Sequence, residues 1–170
     1  MYVDYICDKA HRLIKNSQTR DPFTIAEDSG IMLIFDSNLD KMKGMYTVIK
    51  RNRIIIINNN MSENMQRIVC AHELGHDALH REWAKQGVLK EFMLYDMRTR
   101  PEYEANAFAA EILIDDTDVE ELISYGYDMQ QIAMELNTDI NLVGIKLSNM
   151  NWKGADYKVP IAPHGDFLKD

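Results

Sequence analysis

His72, Glu73 and His76 have the types and the spacing that hydrolytic chemistry needs. They form H-E-x-x-H inside AHELGHDALH, Ala71–His80. On an α-helix, side chains four apart lie one above the other on a single face. Two imidazoles so placed can grip one Zn²⁺ at about 2.0–2.1 Å. Glu73 lies beside them, where it can take a proton from a water on the metal, which titrates near pH ~7. The plain alternative is a surface helix that happens to carry His, Glu and His. The apolar flanks, Ile68 to Ala71 before the motif and Leu74, Ala78 and Leu79 within and after it, argue against that. Polar groups turned into a core without partners cost several kcal/mol.

A third ligand has to come from elsewhere. The metzincin continuation would place Gly and His where this chain has Leu79 and Glu82, so that class is excluded. His80 follows His76 by four residues but stands two turns from His72, and one straight helix does not easily wrap three side chains around one ion. It reads better as a core histidine or one that supports a ligand. The segment PEYEANAFAAEILI, Pro101–Ile114, is the stronger source. Pro suits a first helical turn, and the Ala, Phe, Ile and Leu content sustains a helix. With about 100° per residue, Ala105, Asn106, Ala109 and Leu113 fall within roughly 60° of Glu102. Glu104 falls on the opposite side with Glu111, so Glu102 is expected on the inward stripe and Glu104 on a charged outward one. His72, His76 and Glu102 would make a His₂Glu zinc set with a fourth position for water. Asn106, one turn after Glu102, could hydrogen-bond a ligand. The alternative for Glu102 is an ordinary helix-start carboxylate favoured by the dipole.

These two stretches, IVCAHELGHDALH (Ile68–His80) and EYEANAFAAEILI (Glu102–Ile114), resemble the signatures of the ImmA/IrrE-type metallopeptidases of bacteria, their phages and integrative elements. The upstream IIIINNNMSENMQR is similar to that family's strand-then-helix approach, and the likeness spans residues 1–150. Its gluzincin-like pattern places the third ligand at Glu102, in agreement with the helical-face argument. Asp77 is a departure, standing where the family often has a larger or apolar residue. The resemblance implies a zinc-dependent endopeptidase, with Zn²⁺ as cofactor and Glu73 as general base. It further implies a protein substrate, a helix-turn-helix repressor of a phage or mobile element. A non-hydrolytic regulator on the same fold and a toxin–antitoxin component are the rival readings.

The bulk properties bound the rest. A chain of 170 residues is one domain with room for a sizeable core. A net charge of −8 argues against nucleic acid or an anionic membrane as partner and permits a basic protein. Cys7 and Cys70 suit neither a disulfide framework nor a CxxC site and read as buried thiols. Neither a signal-peptide core nor an apolar run of transmembrane length is evident, so a cytoplasmic location is expected.

The elements that must position the site follow from periodicity. Tyr2–Ser17 reads as a helix, and Asp21–Ser29 as a short one ended by Gly30. Ile31–Phe35, Gly44–Lys50 and Arg53–Asn58 read as strands, the last two as a hairpin. Ser62 is the expected N-cap of a helix from Glu63 to Arg81. Residues 82–100 are expected as a loop or short helix over the cleft, and Tyr95 or Tyr103 could donate to an oxyanion, with packing the plainer role of each. Asp118–Tyr125, Asp128–Asn137 and Asn141–Asn149 read as helices. The last two superficially resemble a helix-turn-helix, but Lys146 is the only basic residue of the second. The expected fold is α+β. Residues 1–150 form a zincin-like core, with a small antiparallel sheet of about three strands on the H-E-x-x-H helix, followed by C-terminal helices. Residues 151–170 form an extended tail.

Overall fold

The computed structural model describes residues 2–84, 89–91 and 99–159. Helix α1 (Tyr2–Ser17) buries Ile6, Cys7 and Ala10 along one face. Helix α2 (Pro22–Asp28) starts at the Asp21 cap, whose carboxylate accepts from Thr24 N–H at 2.9 Å, and Gly30 at φ 72° turns the chain out of it. Strands β1 (Met32–Asp36), β2 (Gly44–Ile49), β3 (Asn52–Asn58) and β4 (Leu89–Glu91) form a mixed sheet in the order β1-β3-β2-β4. Lys50 and Arg51, both at positive φ (48° and 72°), close the β2–β3 hairpin as a two-residue turn.

The expected antiparallel pairing holds for β2 with β3; β2 also pairs antiparallel with β4, a strand within the stretch expected as a loop or short helix. Strand β1, however, runs parallel to β3, and the sheet has four strands rather than about three. Strand β3, which carries Ile54–Ile57, takes the inner position between β1 and β2.

Helix α3 (Glu63–Ala84) carries the H-E-x-x-H motif and begins at the expected cap, with Met65 N–H donating to Ser62 Oγ at 3.3 Å. It departs from helical geometry at His80 (φ −126°, ψ 20°). Helix α4 (Arg100–Leu113) crosses it closely. A β-carbon at Gly75 would lie 2.9 Å from Ala105 Cα, so only glycine lets the two backbones approach this far. Helices α5 (Asp116–Ser124), α6 (Met129–Glu135) and α7 (Ile140–Trp152) complete the chain, each started by an aspartate cap. The sheet packs under α3 through β2 and β3, while α1 and α7 pack over α4. No helix of the described residues is long and apolar enough to cross a membrane.

The environment of α4 corrects one expectation. Glu104 and Glu111 do lie away from Glu102, but that side is not solvent, because α1, α3 and α7 surround the helix. Both glutamates are buried. Glu111 accepts from Lys146 Nζ at 2.9 Å and from Asn149 Nδ2 at 3.0 Å, with His11 Nε2 at 3.3 Å and Lys153 Nζ at 3.3 Å. Burial alone would raise its carboxyl; the His11 imidazole and Lys146 ammonium outweigh that and hold it well below the usual range. Lys146 is fully buried in this network, which also includes Asp116, and cannot serve a nucleic acid.

Two outcomes test this packing. Gly75→Ala should destabilise by about 1–2 kcal/mol in urea unfolding, although alanine is the better helix former, because backbone blocks the added carbon. Lys146→Met should cost about 3 kcal/mol by stranding a buried carboxylate. Glu111 contributes stability that is fully present above the ordinary glutamate pKa of about 4.3 and is lost progressively as pH falls below it toward the group's own lower value. The Tm of the native chain should therefore fall progressively below about pH 5, and less steeply for Lys146→Met.

Candidate metal centre

Helix α3 turns His72 and His76 to the same side, toward the first turn of α4, where Glu102 stands. His72 Nε2 and His76 Nε2 are 3.1 Å apart. Glu102 Oε2 is 3.2 Å from His72 Nε2, and its Oε1 is 3.7 Å from His76 Nε2. Among the described residues this is the one group of three His, Cys, Asp or Glu side chains that could hold a metal ion. Both imidazoles are buried, whereas the Glu102 side chain is 27% exposed, so the cluster opens to solvent on the α4 side. Burial alone would raise the Glu102 carboxyl; the two imidazoles outweigh it and keep the group ionised, well below the usual range.

The donor chemistry fits a cation. Tetrahedral bonds of about 2.0–2.1 Å put neighbouring ligand atoms roughly 3.3–3.4 Å apart. The three observed separations straddle that length. His72 Nδ1 faces Asn106 Oδ1 at 3.0 Å. An amide oxygen only accepts, so Nδ1 carries the proton and the Nε2 lone pair points into the cluster. Two imidazoles and a carboxylate suit zinc-type rather than purely oxygen-ligated sites.

Glu73 is fully buried one residue past His72. Strand β2 begins beside it at Gly44. A β-carbon there would lie 3.2 Å from Glu73 Oε1 and 2.5 Å from Val69 Cγ1. The missing side chain thus keeps the sheet close to the carboxylate without covering it.

On the flank of α3 away from the cluster, Asp77 anchors the helix to the sheet. It is buried and accepts from Tyr46 Oη at 2.6 Å, Arg53 Nη1 at 2.8 Å and Arg81 Nη2 at 2.9 Å. Burial and the Asp77 hydrogen bond push the Tyr46 phenol above its ordinary value. Arg53 also donates to the Ser29 carbonyl, tying in the end of α2. The pairing of Asp77 with Arg53 spans the fold and has no local signal in the sequence. An aspartate in the middle of an otherwise apolar stretch was the one available hint.

His80 is not among the clustered ligands. Its Nδ1 lies 3.0 Å from His76 Nδ1 and its Nε2 2.7 Å from Glu104 Oε2. Trp83 stacks on it at 5.4 Å between ring centroids. Burial, and then the neighbouring His76, hold the His80 imidazole down to about 4, while burial pushes Glu104 up to about 7. Tyr103 is buried in the core, in line with packing, and Tyr95 lies outside the described residues. Cys7 and Cys70 are buried free thiols, their pKa values raised by burial.

A family model described as "Peptidase_M78: IrrE N-terminal-like domain" matches residues 26–148. The chain is 33% identical over 135 residues to "Uncharacterized immunity region protein 2" of Bacillus phage phi105, covering 79% of this chain and 84% of that protein. It is 26% identical over 148 residues to "Metallopeptidase ImmA" of Bacillus subtilis (strain 168), covering 84% and 83%. The match includes both helices that bring the cluster together.

The geometry around Asp77 and Gly44 makes a prediction. Tyr46→Phe leaves a buried carboxylate short of one donor and should lower stability by about 1–2 kcal/mol, read by thermal or urea unfolding.

Proposed function

The chain belongs to the Peptidase_M78 family of IrrE N-terminal-like domains, and from that membership we propose that it is a zinc-dependent endopeptidase. The observation that carries this reading is the convergence of His72 Nε2, His76 Nε2 and a Glu102 carboxylate oxygen on one point beside the buried Glu73. In this reading His72, His76 and Glu102 hold Zn²⁺, and Asn106 fixes His72 through Nδ1. Held there, the metal would supply a Lewis acid for the attacking water and the scissile carbonyl. Glu73 takes the proton of the attacking water and delivers it to the leaving amide nitrogen. The close pass of β2 at Gly44 lies beside that carboxylate.

For the substrate we propose a helix-turn-helix repressor of a phage or mobile element, cut in the cytoplasm. A relative named for a phage immunity region supports this, and so does a net charge of −8, which favours a basic DNA-binding partner. No contact with the nucleic acid itself is part of the reading.

The test pairs the zinc-loaded protein with the helix-turn-helix repressor encoded beside it and follows cleavage by electrophoresis and mass spectrometry. The native chain should cut the repressor. Glu73→Gln should retain the metal and cut at least about 10²-fold more slowly, the scale of a lost general base. Equal cleavage by Glu73→Gln would remove Glu73 from the mechanism. An intact repressor under the zinc-loaded native chain would overturn the substrate assignment.

A further inference from the structure

We propose that His80 and Glu104 are positioning residues for the metal site, acting as a hydrogen-bonded relay that fixes which nitrogen of His76 faces the ion. The inference rests on the reading of His72, His76 and Glu102 as ligands. It extends that set by a pair on two different helices.

The order of protons follows from the contacts. Glu104 receives Arg100 Nε–H on Oε1 at 2.7 Å and meets His80 Nε2 with Oε2 at 2.7 Å. A carboxylate only accepts, so His80 donates from Nε2. A neutral imidazole carries one N–H, so His80 Nδ1 is then an acceptor. Its partner at 3.0 Å is His76 Nδ1, which must therefore be the donor. That leaves the lone pair of His76 on Nε2, the atom that sits 3.1 Å from His72 Nε2 and faces Glu102. Each histidine of the cluster thus has its proton parked on Nδ1 by a separate partner, Asn106 for His72 and the His80–Glu104 pair for His76.

The surroundings keep the relay in this form. His80 is buried. The turn of α3 that leaves helical geometry at His80 carries the imidazole that bridges to α4. Trp83 covers its face and restricts rotation of the ring. Glu104 stands on the side of α4 away from Glu102, so one helix supplies a ligand from one face and a support for the other ligand from the opposite face. Partners of this kind typically change metal affinity by about 10- to 100-fold.

The experiment is a zinc competition titration against a chromogenic chelator at one fixed pH. It uses the full chain, with the Tm of each metal-free variant measured alongside. The native chain should bind about one zinc. His80→Ala and Glu104→Ala should each bind zinc about 10- to 100-fold more weakly. His80→Gln should recover most of the affinity, because its amide can accept from His76 Nδ1–H and donate to Glu104. Recovery by glutamine separates positioning from simple packing, which a flexible amide would not restore. Tight zinc binding by the native chain with unchanged affinity in His80→Ala and Glu104→Ala would overturn the relay and leave the ligand set standing. No zinc uptake by the native chain would overturn the ligand set itself, and the relay with it.

Discussion

At Gly75 the backbones of α3 and α4 come so close that a single methyl would meet the Ala105 backbone at 2.9 Å. This approach decides where the first turn of α4 lies relative to His72 and His76, which flank Gly75 on α3. His72 and Gly75 are three apart, and His76 is adjacent, so the crossing point sits within the motif itself. Glu102 stands one turn before Ala105 and is brought to 3.2 Å from His72 Nε2 by the same crossing. A larger residue at Gly75 would separate the carboxylate from the imidazoles, whatever the rest of the sequence did. The site is therefore a property of a helix pair, and the sheet and outer helices serve to hold that pair.

They hold it with buried polar networks as much as with apolar surface. Asp77 ties α3 to β2, β3 and the end of α2 through Tyr46 and Arg53. Glu111 ties α4 to α1 and α7 through His11, Lys146 and Asn149. Such networks are costly when broken and directional when complete, so they fix orientation in a way that interchangeable apolar contacts do not. An orientation held to a few tenths of an ångström is what three converging ligand atoms require.

Much of this was legible in the chain. H-E-x-x-H spacing and the helical face of Glu102 place three side chains on a common point because both arguments are local and depend only on 3.6-residue periodicity. The cap at Ser62 and the β2–β3 hairpin were readable from signals just as local. What periodicity could not supply was the neighbour on the far side. The angular separation of Glu104 from Glu102 was right, but its meaning depended on α4 being enclosed rather than half-exposed. Glu104 and Glu111 consequently looked like solvent charges. Likewise the parallel pairing of β1 with β3 follows from a long-range competition for the inner strand position, which no local pattern encodes.

The most direct test of the account is zinc K-edge absorption spectroscopy on the native chain and on Glu102→Ala, with metal content measured by elemental analysis. The native spectrum should show about one zinc per chain with only nitrogen and oxygen neighbours at about 2.0–2.1 Å and a clear two-imidazole signature. Glu102→Ala should lose most of its metal. Sulfur scattering near 2.3 Å, or full zinc occupancy retained by Glu102→Ala, would contradict the His72–His76–Glu102 centre.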